Sequence, residues 1–176
     1  MKQNLELKYF CNDFNKIRSV LKEIGAKKEI IKNQKDYFFN LPIDKTRVFP
    51  RLKLRVQDKE LIYYERPNFV KGKNTLAKIE VYKVKDAELL PFLIKVFGVR
   101  AIVEKKREIW RKDNTVFYID KVKNVGNIFE VEMQKNSAMT QKDKELFESY
   151  KKKLLPHLGA MIKGSNIDLV LENYNK

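Results

Sequence analysis

The chain has 176 residues, and its 38 Lys and Arg side chains outnumber its 23 Asp and Glu side chains, which gives a net charge of +15 with the single His neutral. Hydrophobic residues make up 43% of the chain, so an intrinsically disordered protein is excluded. One Cys excludes an internal disulfide and a cysteine-based zinc finger, and no apolar run approaches the roughly 20 residues of a membrane helix. We therefore expect a cytoplasmic protein without membrane contact that forms one domain over residues 1–176.

The chain is predicted to alternate short strands with amphipathic helices. Helices are indicated by apolar residues that recur at i, i+3 and i+4, as in Phe14, Ile17 and Leu21, and strands by apolar residues at every second position. In chain order we expect a strand at 4–9, a helix from Asn12 or Asp13 to Gly25, strands at 34–40, 51–56, 60–66 and 76–82, a helix from Asp86 to Gly98, strands at 103–109, 115–122 and 128–132, and a helix from Thr140 to Pro156.

The polar sides of these strands carry charge in blocks of one sign. One strand has Arg51, Lys53 and Arg55 on one side, and another has Glu130 and Glu132. An ordinary sheet turns such a side toward water. Like charges at neighbouring positions repel, however, so the alternative is a closed sheet whose charged side lines an interior that holds ions.

Such an interior would suit a metal-bound polyphosphate. Glu130 and Glu132 point the same way on their strand, about 7 Å apart, and Glu6 supplies a third carboxylate from another strand. Carboxylate oxygens are the ligands that Mg²⁺ and Mn²⁺ prefer. Arginine and lysine side chains on the basic strand would bind the phosphate groups.

Eight stretches of the chain resemble, in order, the motifs of the CYTH superfamily. This superfamily joins class IV adenylyl cyclases and thiamine triphosphatases and belongs with the triphosphate tunnel metalloenzymes. The YYERP stretch and the late GSNIDL stretch are more similar to the class IV cyclase branch than to the thiamine triphosphatase branch. The stretches are NLELK (4–8), QKDYFF (34–39), RLKLR (51–55), LIYYERP (61–67), VEKKREIW (103–110), IDKV (119–122), GNIFEVE (126–132) and GSNIDL (164–169).

The resemblance implies an α+β fold, an eight-stranded antiparallel closed β tunnel with about three helices outside. It also implies an enzyme that binds Mg²⁺ or Mn²⁺ and a triphosphate inside the tunnel, with Tyr64 lining the tunnel or its mouth. The implied metal ligands are Glu6, Glu130 and Glu132, with Glu80 and Asp120 as further candidates. The implied triphosphate ligands are Lys8, Arg51, Lys53, Arg55, Arg66, Lys78, Lys105 and Arg107, of which Lys8, Arg55 and Arg107 are the expected catalytic residues.

Two positions depart from the family pattern. Asn4 stands where the first Glu of the Glu-x-Glu-x-Lys motif is expected, which leaves the number of bound metal ions open. Asn166 stands at the Tyr position of the terminal motif.

The expected reaction is the conversion of ATP to cyclic AMP and pyrophosphate, although no general base is visible in the sequence. Hydrolysis of thiamine triphosphate or tripolyphosphate is the first alternative. A non-catalytic module that binds nucleotide or nucleic acid is the second, because lysines at 27–28, 71–73 and 151–153 add positive charge elsewhere. The chain is expected to be a monomer or a homodimer.

Overall fold

The computed structural model describes residues 2–42, 46, 49–65, 75–86 and 88–174, without the side chains of 2–4, 75–77 and 174. Within these residues the chain forms eight strands and four α-helices. The strands are β1 (Lys2–Phe10), β2 (Lys27–Phe39), β3 (Pro50–Arg55), β4 (Glu60–Glu65), β5 (Thr75–Lys83), β6 (Val99–Lys112), β7 (Thr115–Val122) and β8 (Gly126–Lys135). The helices are α1 (Phe14–Glu23), α2 (Leu89–Phe97), α3 (Gln141–Leu154) and α4 (Asn166–Tyr174).

The eight strands form a closed antiparallel barrel in the order β1-β5-β4-β3-β2-β6-β7-β8. The ring closes because β1 pairs with β5 along one edge and with β8 along the other. Closure leaves every strand with two neighbours and separates the side chains of each strand into an inner and an outer set. The expected tunnel fold is therefore confirmed.

Local signals explain the predicted helices. Asp13 caps α1, where its carboxylate accepts hydrogen bonds from the backbone N–H groups of Asn15 and Lys16. Thr140 and Asp143 form a capping box at the beginning of α3. Helices α1 and α3 thus begin where the sequence places their caps. Helix α2 was expected from Asp86 and instead begins at Leu89, with Glu88 at the N-cap position, and α4 was not predicted.

Apolar residues pack both outside and inside the barrel. On the outside, the largest apolar cluster joins α1 and α3 to the outward-facing side of the sheet, with Leu21, Phe117 and Phe147 fully buried. A second cluster fills one end of the interior, where Phe38 meets Ile167 and Val170 of α4. The helix α4 therefore closes that end of the barrel.

A buried ion pair fastens α4 to the barrel wall. Arg51 on β3 is 8% exposed, and its Nη2 lies 2.8 Å from Oδ2 of Asp168. The same carboxylate accepts hydrogen bonds from the backbone N–H and the hydroxyl of Ser165, at 2.7 and 3.0 Å. One carboxylate thus joins β3 to the beginning of α4.

None of the helices within the described ranges is both long and apolar enough to span a membrane.

We expect Asp168→Asn to loosen α4 while the barrel stays folded. The change leaves the buried guanidinium of Arg51 without its counter-charge, and a pair that is partly exposed should cost about 1–3 kcal/mol of unfolding free energy. Hydrogen exchange should accelerate at the amides of 166–174 and stay unchanged in β6, β7 and β8. Glu172→Gln, on an exposed position of the same helix, is the control and should alter neither quantity.

Candidate active site

A cavity of about 430 Å³ lies inside the barrel, and inward-facing side chains of all eight strands line it. Phe38, Tyr64 and Asn166 line the end that α4 closes. At the opposite end Lys83 donates a hydrogen bond of 2.7 Å to Glu60. Charged side chains occupy the middle, where the barrel wall shields them from water.

Three carboxylates meet on one wall of this cavity. Glu6 on β1 stands opposite Glu132 on β8, and Glu130 is two residues further along the same strand. One oxygen of each of the three groups lies within 4.8 Å of the others. Like charges on facing strands repel, so this arrangement favours a bound cation. Three carboxylate oxygens are a donor set that fits Mg²⁺ or Mn²⁺.

The two glutamates of β8 have different electrostatic environments. Glu130 accepts from Lys8 at 3.1 Å and from Arg107 at 2.8 Å. Burial opposes ionisation, but Lys8 and Arg107 outweigh it and hold the pKa of Glu130 well below its usual range. Burial and the neighbouring Glu130 raise the pKa of Glu132, although Gln134 donates to it at 3.1 Å. Glu132 is therefore the carboxylate that gains most from a nearby cation.

Arg107 and Lys105 of β6 face this acidic group. Arg107 makes two bonds to Asp120, at 2.7 and 2.6 Å, and its guanidinium lies 3.7 Å from the centre of the Tyr118 ring. Lys105 donates to Asp120 at 3.3 Å. Burial and the positive charge of Arg107 lower the pKa of Lys105 to about 7, although Asp120 opposes that shift.

The basic strand β3 supplies the facing wall. Lys53 and Arg55 both line the cavity, and both donate to Asp36 of β2. Burial favours the neutral form of Asp36, but Lys53 and Arg55 hold the pKa of this carboxyl well below its usual range. The wall is therefore an ion-paired group whose cations face the cavity.

The structure brings most of the expected site residues together. Those that line the cavity are Glu6, Lys8, Lys53, Arg55, Lys105, Arg107, Glu130 and Glu132, together with Tyr64. Arg66 lies outside the described residues, as does the side chain of Asn4, whose backbone pairs with Gln134.

Four expected site residues lie elsewhere. Arg51 does not line the cavity and instead donates to Asp168. Asp120 is fully buried behind the lining residues, and its contacts with Lys105 and Arg107 make it a counter-ion rather than a member of the carboxylate group. The remaining two, Lys78 and Glu80, are considered with strand β5.

On β5 the expected orientation is wrong. Ile79, Val81 and Lys83 line the cavity, so Lys78 and Glu80 point outward, and both are exposed. Alternation separates the two sides of a strand but does not say which side faces the interior. On this strand the mainly apolar side faces inward.

Sequence reasoning missed several lining residues, and Asp36 is the most prominent of them. Tyr118, Gln134, Ser165 and Asn166 also line the cavity without having been assigned a role. Asp36 is an acidic residue inside the strand-forming stretch 34–39, but both sides of that stretch mix polar with apolar residues, so alternation did not place it in the interior.

Comparisons with known proteins agree with this fold and cavity. The CYTH domain family matches residues 2–159. The chain therefore belongs to the CYTH family. A protein of Methanocaldococcus jannaschii named "Putative adenylate cyclase MJ0240" is 32% identical over 149 residues, which cover 82% of this chain and 83% of that protein. The expected enzyme class, an adenylyl cyclase-like enzyme or triphosphatase of this superfamily, is confirmed at that level.

Solved structures share the fold at lower identity. The PH1012 protein from Pyrococcus horikoshii OT3 superposes with a TM-score of 0.70 at 22% identity, over 94% of this chain and 98% of that one. The Hippeastrum protein HpAC1 superposes with a TM-score of 0.61 at 14% identity, over 98% of this chain and 96% of that one. The latter structure is described as a "Putative adenylyl cyclase" with a dominant triphosphatase activity.

We expect the two glutamates of β8 to respond oppositely to neutralisation in metal-free protein. Glu130→Gln removes the buried charge that Lys8 and Arg107 share, although Arg107 keeps Asp120, and should lower the unfolding free energy by about 3 kcal/mol. Glu132→Gln removes a repelling charge and should leave stability unchanged or raise it. Urea unfolding in EDTA measures both quantities, and equal effects of the two variants would contradict this assignment.

Proposed function

We propose that this CYTH protein is a metal-dependent enzyme that acts on an organic triphosphate inside the barrel and converts ATP to cyclic AMP and pyrophosphate. The observation that carries the proposal is the juxtaposition of a three-carboxylate group with the cations of β3 and β6 in one cavity. Anionic phosphate and divalent metal are the two ligands that such opposed walls can bind together. The names of relatives support the same reaction.

The protein's own residues would bind and orient the phosphate chain. Lys53 and Arg55 donate from one wall and Arg107 from another, so phosphate oxygens between them receive charge-assisted hydrogen bonds. Glu6, Glu130 and Glu132 would hold Mg²⁺ or Mn²⁺, which supplies charge neutralisation to the phosphate oxygens when bound. These side chains lie deep in the barrel, away from water, which strengthens each of these interactions. Their ion pairs fix the donors before the ligand enters.

In the cyclase reaction the ribose 3′-hydroxyl attacks the α-phosphorus, and pyrophosphate leaves on the opposite side. The new O3′–P bond replaces the bond between the α-phosphorus and the bridging oxygen, and the hydroxyl proton passes, directly or through water, to the leaving pyrophosphate. The residues of the basic walls stabilise the charge that develops on the leaving pyrophosphate. Positioning of the hydroxyl in line with the leaving group is then the principal task of the cavity.

Hydrolysis of a triphosphate is the second candidate. It is favoured by the description of HpAC1, a protein of this fold, as having a dominant triphosphatase activity. The same walls would hold the phosphate chain while water attacks the terminal phosphorus. Thiamine triphosphate and inorganic tripolyphosphate are substrates that this reaction would accept.

The deciding experiment is product analysis of ATP labelled at the α- and γ-phosphates, with Mg²⁺ and with Mn²⁺. We expect labelled cyclic AMP together with pyrophosphate, and at least a hundredfold loss of turnover in Glu6→Gln, which removes one carboxylate of the metal group. Glu108→Gln is the matched control because Glu108 is equally buried, but on the outer side of the barrel with Arg18 and Trp110. Release of γ-phosphate with ADP would identify a triphosphatase. Absence of turnover on ATP, thiamine triphosphate and tripolyphosphate would contradict an enzymatic function and favour the non-catalytic binding module.

We expect the protein to take up a proton when it binds an anion near pH 8. The pKa of Lys105 is about 7, so its side chain is mostly the neutral amine at pH 8 and must gain a proton to bind an anion as an ammonium group. A bound polyanion raises this pKa, and affinity should therefore fall as pH rises through 7 to 8. Calorimetry of tripolyphosphate binding in two buffers of different ionisation enthalpy measures the uptake.

Lys105→Met should abolish most of this uptake. Lys106→Met is the control, because the adjacent Lys106 is exposed on the outer side of the same strand. Equal proton uptake in the parent and in Lys105→Met would show that another group titrates.

A further inference from the structure

Asp36 is the acidic centre of the basic wall. It lies on β2 directly opposite Arg55 of β3, and only 2% of its surface is exposed. Its Oδ1 accepts from Nε of Arg55 at 2.8 Å, and its Oδ2 accepts from Nη2 of Arg55 at 3.1 Å and from Nζ of Lys53 at 2.8 Å. One carboxylate therefore fixes two cations from the neighbouring strand.

Asp36 differs from two other buried carboxylates that pair with cations of the cavity. Asp120 is fully buried behind the lining residues, and Glu130 belongs to the three-carboxylate group. Asp36, by contrast, lines the cavity itself, and so do both of its partners. An anion that enters the cavity therefore meets Asp36 and its two cations at the same surface.

The pairing leaves the cations able to bind a second acceptor. A guanidinium carries five N–H donors and an ammonium carries three. Arg55 uses Nε and Nη2 for Asp36, so further N–H groups of the same plane can bind a phosphate oxygen while the first edge stays fixed. A donor that is already held in place loses little conformational freedom when the ligand binds.

The same carboxylate also opposes the approach of an anion. Two positive charges on this wall are offset by one negative charge at hydrogen-bond distance, so the field that an incoming anion meets is weaker than the number of cations suggests. A polyphosphate without metal, which carries several negative charges, is repelled more strongly than a metal complex of lower charge. Lys53 and Arg55 keep the pKa of Asp36 low, so this charge persists at neutral pH.

We propose that Asp36 is a positioning residue that holds Lys53 and Arg55 toward the substrate and makes the cavity select metal-complexed polyphosphate over the free anion. The selectivity for the metal complex can be measured by binding alone, whereas the effect on turnover rests on the proposed function. Removal of the Asp36 charge should raise the affinity for the free anion but lower turnover. A merely structural residue would lower affinity and turnover together.

Asp36→Asn tests both effects because it removes the charge at nearly constant shape. In EDTA, calorimetry should show tripolyphosphate binding at least tenfold more tightly than to the parent, because one negative charge has left the wall. With Mg²⁺ and ATP, kcat should fall at least tenfold, because the cations are no longer held by a carboxylate. Glu108→Gln carries the same change in charge at a buried, ion-paired site outside the cavity and should alter neither value.

Asp36→Glu is the second test variant, for use if Asp36→Asn does not fold. It keeps the charge and moves the carboxylate by one methylene, so metal-free affinity should stay within twofold of the parent while kcat falls at least fivefold. Unchanged kcat in this variant, or Asp36→Asn binding the free anion no more tightly than the parent, would overturn the proposal. Absence of turnover in the parent would refute the proposed function and leave the binding comparison in EDTA as the test of Asp36.

Discussion

Charged side chains inside the barrel are tolerated because almost every one lies against a charge of opposite sign. Taking an ion out of water costs several kcal/mol, and only close pairing with further hydrogen bonds offsets that cost. Asp36, Asp120 and Glu130 each accept from two basic side chains of other strands. All of these pairs but Arg107–Glu130, which reaches past β7, form across adjacent strands, where the register brings them together. The barrel can therefore fold around a polar interior.

This polar interior explains why the main apolar core lies outside the sheet. Each strand has two faces, and a face occupied by paired charges cannot also supply apolar packing. The opposite face therefore carries Leu5, Leu7 and Phe117, and α1 and α3 cover it. Inside the barrel, the buried apolar cluster of the described residues lies at one end, where α4 inserts Ile167 and Val170. The position of α4 thus sets the depth of the cavity.

The sequence predicted the strands well where one side was uniformly charged. The alternation of Arg51, Lys53 and Arg55 identified β3, and the resemblance to the CYTH superfamily supplied the closure that alternation alone left open. Orientation was predictable where charges of one sign marked one side, whereas on β5, where Lys78 and Glu80 differ in sign, the expected orientation was wrong. On β2, residues 34, 36 and 38 are Gln, Asp and Phe, whereas 35, 37 and 39 are Lys, Tyr and Phe, so both sides mix polar with apolar residues. Asp36 consequently could not be assigned to the interior.

Helix α4 was not predicted because its signal in the sequence is short. It has nine residues, and although four of them are aliphatic (Ile167, Leu169, Val170 and Leu171), a helix of that length is marginal by itself. Packing of Ile167 and Val170 against the inner apolar cluster and the bond between Arg51 and Asp168 stabilise it. Both interactions join residues far apart in the chain. The same bond removed Arg51 from the phosphate-binding set, although its type and spacing match those of Lys53 and Arg55.

The net charge of +15 is an indirect indicator of the site. Among the described residues, the six cations that line the cavity stand with five lining carboxylates, and Asp120 adds a sixth directly behind Arg107. The described interior is therefore close to electrically neutral, and the net charge of +15 does not come from the lining residues. Affinity for an anion arises instead from the separation of charge within the cavity, with three carboxylates on one wall and paired cations on the others. An interior that is neutral as a whole, but whose negative and positive charges lie on different walls, suits a ligand whose own charges are separated. A polyphosphate with its bound cations is such a ligand.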